Sequence, residues 1–375
     1  MKTKVLILGA GFGGLELATM LSEEVADEVE VTLIDRNDAF VFGYSKLDVM
    51  FGREQMADTR LPYSKFVKPG VRLLREEITA IDPEQRRVTT DAGVHEADVL
   101  VVALGADYDI EGTPGLAEHG NEFYSFAGAE TLTGVIADFT SGDAVIGVCD
   151  APFKCPPAPS ECALLLHDDL VAKGVRDDCT ITFVLPLPSP VPPSPEASKV
   201  IAGELEDRGV RFVPGRRIAS LSSGVTVLDD GTELPFDLFL GVPKHRAPDV
   251  VIESGMTEDG YVPVDFHTLK TSFPGVYAVG DVATAGVPKA GVFSEGAAKV
   301  VARSIIADLG HGEPAEPHKG QGACYIEFGF DRVARVDIDF LSGPERTGSI
   351  QAASKEFVAE KEEFGSSRKA RWFGI

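Results

Sequence analysis

The chain has 375 residues, 44% of them hydrophobic and 25% charged, and a formal net charge of −24 at pH 7. An acidic surface of this size repels phosphate backbones and offers no basic field for counterion release, which excludes nucleic acid as a partner; the composition is that of a packed globular chain. Five cysteines, Cys149, Cys155, Cys162, Cys179 and Cys324, scattered through so long a chain make no disulfide scaffold, and no apolar run reaches the ~20 residues of a membrane span.

Basic Lys2 and Lys4 ahead of apolar Val5 to Leu8 look superficially like a signal peptide, but glycines interrupt the apolar run and no small-residue cleavage site precedes Glu23. A mature N-terminus and a cytoplasmic location are expected. Val5 to Leu8 predicts a buried strand, Leu15 to Glu24 a helix, and Val29 to Ile34 a second strand ending in Asp35, with Arg36 beside it. Between the first strand and the helix, Gly9, Gly11 and Gly14 form G-x-G-x-x-G. In such a βαβ unit the first glycine permits the turn and the second lets backbone approach a pyrophosphate. The third lets helix and strand pack closely, and the acid about 20 residues on accepts a ribose hydroxyl.

Strands are next expected over Val71 to Leu74, Arg86 to Thr90 and Asp98 to Ala106, the last with Ala103 and Gly105 where backbone can lie against a ligand. Ala144 to Asp150 predicts another strand. The adjoining stretch, Ala151 to Glu161, carries four prolines and no glycine, so the segment has no phosphate cradle. Cys155 stands between Lys154 and two of these prolines, just ahead of a helix predicted over Ser160 to Gly174. Both the lysine and the helix N-terminus would favour its thiolate. An inert buried cysteine in a proline loop is the alternative at this point. Cys162 and Cys179 fall in apolar periodic settings as packing residues, while Cys149 is placed near Cys155 as a bystander or alternative partner. Leu185 to Pro195 reads as a stiff, extended loop after a strand over Thr180 to Val184. Val276 to Val279 predicts a strand that delivers Gly280 and Asp281. No histidine spacing suits a metal, and none is expected.

Gly9 to Gly14, Asp35, Ala103 to Ala106 and Gly280-Asp281 together resemble the pattern of two-dinucleotide-binding-domain flavoproteins. The resemblance implies an α/β fold of two Rossmann-like domains and bound FAD, with Asp281 on the sugar-like chain of the flavin. Residues 1–110 and 262–310 would form a discontinuous FAD-binding domain, 111–261 an inserted second domain without a NAD fingerprint, and 311–375 a C-terminal β-hairpin and helical element. In flavoenzymes that draw on NADH the inserted domain normally carries a second glycine fingerprint, so nicotinamide is not the expected donor.

Phe153 to Glu161 further resembles the active-site segment of sulfide:quinone oxidoreductases and of the flavoprotein subunit of flavocytochrome c sulfide dehydrogenase, and Gly322 to Phe340 resembles the strand pair that carries their second redox cysteine. That resemblance implies a Cys155/Cys324 redox pair, Glu161 as proton acceptor, Lys289 beside the flavin, sulfide or a related sulfur species as donor, and quinone as acceptor. Many quinone-reducing members have a third cysteine before the inserted domain, and none occurs here between Met1 and Val148. Two other functions stay open: a type II NADH dehydrogenase-like NAD(P)H:quinone oxidoreductase, and a flavoprotein redox sensor without turnover. The tail, Phe364 to Ile375, with Arg368, Lys369, Arg371, Trp372 and Phe373, either makes a peripheral membrane contact or packs on the body. Nothing in the sequence sets the oligomeric state.

Overall fold

The computed structural model describes residues 2–329 and 331–375. Strand β1 (Thr3–Leu8) pairs in parallel with β2 (Val29–Asp35) through helix α1 (Phe12–Val25), the connection expected from the sequence. Ile7, Leu8, Leu33 and Ile34 are fully buried, as unbroken apolar runs must be in a parallel sheet covered on both faces. Gly9 turns the chain at φ +98, and a Cβ at Gly14 would lie 1.9 Å from the Gly9 carbonyl oxygen. Only glycine lets the helix come this near the strand.

A short helix α2 (Ser45–Met50) precedes β3 (Val71–Arg75), which extends the sheet beyond β2, while β4 (Val99–Val102) lies on the other side of β1. The strand expected to run on to Ala106 stops at Val102. From Ala103 the chain leaves the sheet, and Gly105 adopts φ +70.

The inserted region forms a second parallel sheet from β5 (Asn121–Glu122), β6 (Gly142–Val148), β7 (Cys179–Leu185), β8 (Val210–Pro214) and β9 (Leu238–Val242), in the order β5-β9-β6-β7-β8. Helix α3 (Ala158–Lys173) links β6 to β7 and ends at Gly174 in the left-handed region. The proline-rich stretch leads from β7 into α4 (Pro195–Asp207). There Ser194 accepts a bond from the Ala197 N–H and Pro195 takes the first helical position, where its missing N–H costs nothing.

The chain then returns as β10 (Val276–Ala278) to the outer side of β4, completing the order β10-β4-β1-β2-β3. Helix α5 (Gly291–Asp308) buries Ala298, Val301 and Ala302 in the core shared with Leu15 and Ala18 of α1. The fold is α/β, with two Rossmann-like units and the first one discontinuous in sequence.

The C-terminal element is larger than a hairpin. Three antiparallel strands, β11 (Gln321–Glu327), β12 (Val333–Asp339) and β13 (Thr347–Ser354), precede helix α6 (Glu356–Arg368) and a final turn over Lys369–Phe373. Ile326, Phe328, Ala334 and Val336 join the core of the second sheet. The tail packs on the body through Trp372 and Phe373, the second of the two expectations for it. Trp372 is 1% exposed, donates its indole N–H to Glu16 at 2.8 Å and meets Phe12 and Phe40 edge-on. Arg371 takes Glu16 bidentately at 2.8 and 3.0 Å. Burial raises the Glu16 carboxyl, but its Arg371 and Trp372 partners prevail and hold it below the usual range. Among the described residues no helix is long and apolar enough to cross a membrane.

Candidate active site

A cavity of ≈ 530 Å³ opens where β1, β2, β4 and β10 end, on the side toward the second sheet. Gly9, Gly11, Asp35, Arg36, Ala103, Gly105, Gly280 and Asp281 all line it, together with Cys155, Glu161 and Lys289. Of the residues expected to hold the cofactor, Gly14 does not line the cavity; it lies beneath, against Gly9.

These residues fit a dinucleotide. A Cβ at Gly11 would meet nothing within 4 Å, so the backbone there is open toward a ligand, and the unpaired first-turn N–H groups of α1 begin beside it. The Asp35 carboxylate accepts from Ala10 N and from Asn37 N and Nδ2, each at 2.8 Å. A carboxylate has about four acceptor sites, which leaves room for a ribose hydroxyl. Asp281 Oδ1 is buried with no partner in the protein, the state of an acceptor whose donor comes from a ligand. Arg36 stands at the rim, 3.9 Å from Asp107 and well exposed.

At the far end of the cavity the loop before α3 is fastened to the first unit. Cys155 N donates to Lys289 O at 2.7 Å, and the backbones of Lys154 and Lys289 form a parallel bridge. Cys155 itself has φ +47, a left-handed conformation unusual for a side-chain-bearing residue and costing roughly 1–3 kcal/mol. Such strain persists where the surroundings hold it, commonly at functional sites.

Cys155 and Cys324, distant in sequence, both feel the charge of the buried Glu161 carboxyl; Cys155 lines the cavity, whereas Cys324, on β11, is not among its lining residues. Both are free thiols. Burial first, and then the Glu161 charge, push the Cys155 thiol well up and that of Cys324 to about 12. This corrects the expectation of a favoured thiolate: burial outweighs the positive fields around Cys155 and holds the thiol form. Lys154 turns away, its Nζ donating to Ala106 O at 2.7 Å and lying 4.2 Å from the centre of the Tyr108 ring. The larger of the two lowering influences on Cys155 is the Ala158 N–H at the start of α3, as expected of the helix N-terminus, and the cation that adds to it is Lys361 of α6 rather than Lys154.

Glu161 is 3% exposed, and its Oε1 accepts from Glu327 N at 3.0 Å. Burial raises its pKa to about 7, against the attraction of Lys361. Lys361 pairs with Glu327, which also takes Arg53 at 2.8 Å, and Arg53 reaches Asp48 at the same distance. Sequence reading missed this ionic group. Glu327 lies three residues from Cys324 and gave a faint signal, but Arg53 and Lys361 come from regions with no motif.

Lys289 is 6% exposed, donates to Asp281 O and Ala283 O, and sits 3.4 Å from the centre of the Tyr261 ring. Burial lowers its pKa to about 8. Cys149 is not near Cys155. It belongs to the opposite face of the second sheet, packed with Val145, Val184 and Ile218, because alternate residues of β6 point to opposite sides. Cys162 and Cys179 are buried packing residues, and among the described residues no cluster suits a metal.

The start of α3 is poorly equipped for a second pyrophosphate. Pro157 and Pro159 have no N–H, and that of Ala158 is donated to Cys155 O. A Cβ at Gly147 would meet Ile218 and Phe239 side chains at 2.6 to 2.9 Å, so this glycine serves packing.

A family model described as pyridine nucleotide-disulphide oxidoreductase matches residues 3–137 and 161–302. The break between the two stretches holds the whole Cys155 loop. The mitochondrial sulfide:quinone oxidoreductase of Mus musculus is 24% identical over 361 residues, covering 92% of this chain and 80% of that protein. A type II NADH:quinone oxidoreductase of Staphylococcus saprophyticus is 34% identical over 293 residues, covering 69% and 72%. Among solved structures, the sulfide:quinone oxidoreductase of Aquifex aeolicus superposes with a TM-score of 0.88 at 22% identity, over 98% of this chain and 91% of that one. The superposition establishes a shared fold.

Proposed function

The chain belongs to the pyridine nucleotide-disulphide oxidoreductase family and is an FAD-dependent oxidoreductase; from that premise we propose that it oxidises sulfide, or a closely related sulfur species, through Cys155 and Cys324 and delivers the electrons to a quinone. The observation that carries the reading is that Cys155 and Glu161 line the dinucleotide cavity while Cys324 lies on β11, the strand bonded to Glu161 through Glu327 N, where the charges of both thiols and Glu161 act on one another. Similarity to sulfide:quinone oxidoreductases over nearly the whole chain supports it.

In the oxidised enzyme Cys155 and Cys324 form a disulfide. Hydrosulfide attacks one of its sulfurs: one S–S bond forms, the old one breaks, and the products are a cysteine persulfide and a cysteine thiolate. The incoming sulfur is oxidised and the disulfide reduced by the same electron pair. A second sulfide then takes the outer sulfur off the persulfide as a hydrodisulfide, leaving two cysteine thiols. FAD, when bound, would accept the electron pair released as these reform the disulfide, and a quinone would take it on. Glu161, held near neutrality by burial, takes the proton of the incoming sulfur and releases it during turnover. Lys361 offsets the negative charge gathered around the two thiols and Glu161. Lys289 and Lys154 hold positive charge on the wall nearest Asp281.

The pH dependence tests this assignment. A carboxyl of pKa about 7 is protonated below that value and cannot accept a proton, so kcat for sulfide-dependent quinone reduction should rise as pH passes upward through about 7. Hydrogen sulfide ionises in the same range, which is why kcat at saturating sulfide is the quantity to follow. Glu161→Gln should lower kcat by about 10²-fold and flatten that limb. An unchanged limb in the variant removes Glu161 from the proton path.

The 34% identity to a type II NADH:quinone oxidoreductase favours a second reading, in which NADH is the donor. The proline-occupied start of α3 weighs against it.

A further inference from the structure

Three buried or half-buried ammonium groups border the cavity on the side of Cys155: Lys46, Lys154 and Lys289. Lys154 and Lys289 donate to backbone carbonyls, lie over a tyrosine ring and have the Asp281 carboxylate as the leading charge acting on them. For Lys46, Asp281 comes after Lys154, Glu122 and Cys155. Lys46 projects from α2, donates to Tyr124 O and lies 4.9 Å from the centre of the Phe126 ring. Among the described residues no carboxylate comes within ion-pair distance of it. The nearby Glu122 is engaged elsewhere, accepting from Tyr124 N at 2.8 Å and Ser125 N at 2.9 Å and also from the Ser125 hydroxyl.

An ammonium carries three donors, so two remain on Lys46. Burial first, and then the neighbouring Lys154, lower the Lys46 pKa to about 7, so an anion that enters beside it would draw the proton back and be held by it. Cys155 lines the same end of the cavity and is among the charges that act on Lys46. The segments are also tied together, since the Tyr124 hydroxyl donates to Cys155 O at 3.4 Å while Tyr124 O accepts from Lys46.

From this arrangement we infer that Lys46 is the binding residue for an anionic sulfur nucleophile, such as hydrosulfide or a terminal persulfide anion, and holds it against Cys155. The inference deepens the proposed function and rests on it for the identity of the sulfur. Lys46 supplies the local attraction that a protein of net charge −24 withholds from anions elsewhere on its surface. It also offsets the repulsion between an arriving anion and Glu161.

The charge preference can be read without turnover. Iodoacetate and iodoacetamide alkylate the same thiolate but differ in charge, so the ratio of their rates at one cysteine cancels any change in thiolate fraction. In reduced, FAD-loaded enzyme, the rate ratio at Cys155, followed by mass spectrometry of its peptide, should fall about tenfold in Lys46→Met relative to the unsubstituted protein. Lys46→Arg should keep most of it, and Lys199→Met on exposed α4 should not move it. In steady state, Lys46→Met should raise KM for sulfide by a similar factor with kcat within about threefold. An unchanged ratio together with an unchanged KM overturns the inference, as does loss of bound FAD from Lys46→Met with the ratio preserved, which would assign the lysine to the cofactor. A fall in the ratio in an enzyme that sulfide does not reduce leaves the anion site standing and removes the sulfide reading instead.

Discussion

Replacing Cys155 with serine should reduce the rate of sulfide-dependent flavin bleaching by at least about 10³-fold while leaving FAD bound. A serine hydroxyl can form neither the disulfide that sulfide attacks nor a persulfide, so the route is removed rather than weakened. The substitution is nearly isosteric in a loop that is fixed by backbone bonds, Cys155 N to Lys289 O and Ala158 N to Cys155 O, and these survive the change. Cys324→Ser should cost about as much. The double variant should be little worse than either single one, because the two cysteines act as a unit. Anaerobic stopped-flow at the flavin absorbance measures all three, with the flavin-to-protein ratio as the control for cofactor retention. A Cys155→Ser enzyme within tenfold of the original rate contradicts the assignment.

The second large effect lies in the glycine fingerprint, where two neighbouring positions should fail in different ways. At Gly14 an added Cβ falls 1.9 Å from the Gly9 carbonyl oxygen, far inside contact distance, and both partners are backbone. Gly14→Ala must push α1 off β1. It should lower the melting temperature and leave the purified protein with less than about a tenth of its FAD. At Gly11 the added Cβ meets no protein atom, so Gly11→Ala should fold normally. Its methyl group occupies the space through which backbone approaches a pyrophosphate, and FAD should bind about 100-fold more weakly, a loss of about 2.7 kcal/mol. Thermal melts of apoprotein and fluorescence titration with FAD separate the two outcomes. Equal behaviour of the two variants would remove the distinction between a packing glycine and a ligand-facing one.

The first βαβ unit was legible because its constraints are local: an apolar run, glycines at fixed offsets and an acid after the next strand all lie within 35 residues. The pairing of β10 with β4 was legible only by resemblance, since nothing between Val102 and Val276 announces that the chain will return. Strand limits drifted where backbone conformation decided them, as at Ala103 to Ala106. Around the cysteines, sequence reading pointed to Cys155 and Glu161, which do line the cavity, and to the wrong lysine as the cation acting on Cys155. Lys154 is adjacent to Cys155 in the chain, yet the backbone turns into the left-handed region at Cys155 and the lysine's ammonium goes to Ala106 O. The cation that acts on the thiol, Lys361, comes from a helix more than 200 residues away whose acidic run, Glu356, Glu360, Glu362 and Glu363, reads as a solvated face. Trp372 illustrates the same limit. Its burial depends on Glu16, a carboxylate on α1 that an amphipathic pattern would have placed in water.

The donor is the point on which the two quinone-linked readings part, and an anaerobic titration of the oxidised, FAD-loaded protein decides it. Sulfide and NADH are added separately at equal concentration while the flavin absorbance is followed. Sulfide should bleach the flavin within a few equivalents and at least about 100-fold faster than NADH, and added quinone should restore the colour. Rapid bleaching by NADH with the flavin left oxidised by sulfide would contradict the account and establish the start of α3 as a working nucleotide site despite its prolines.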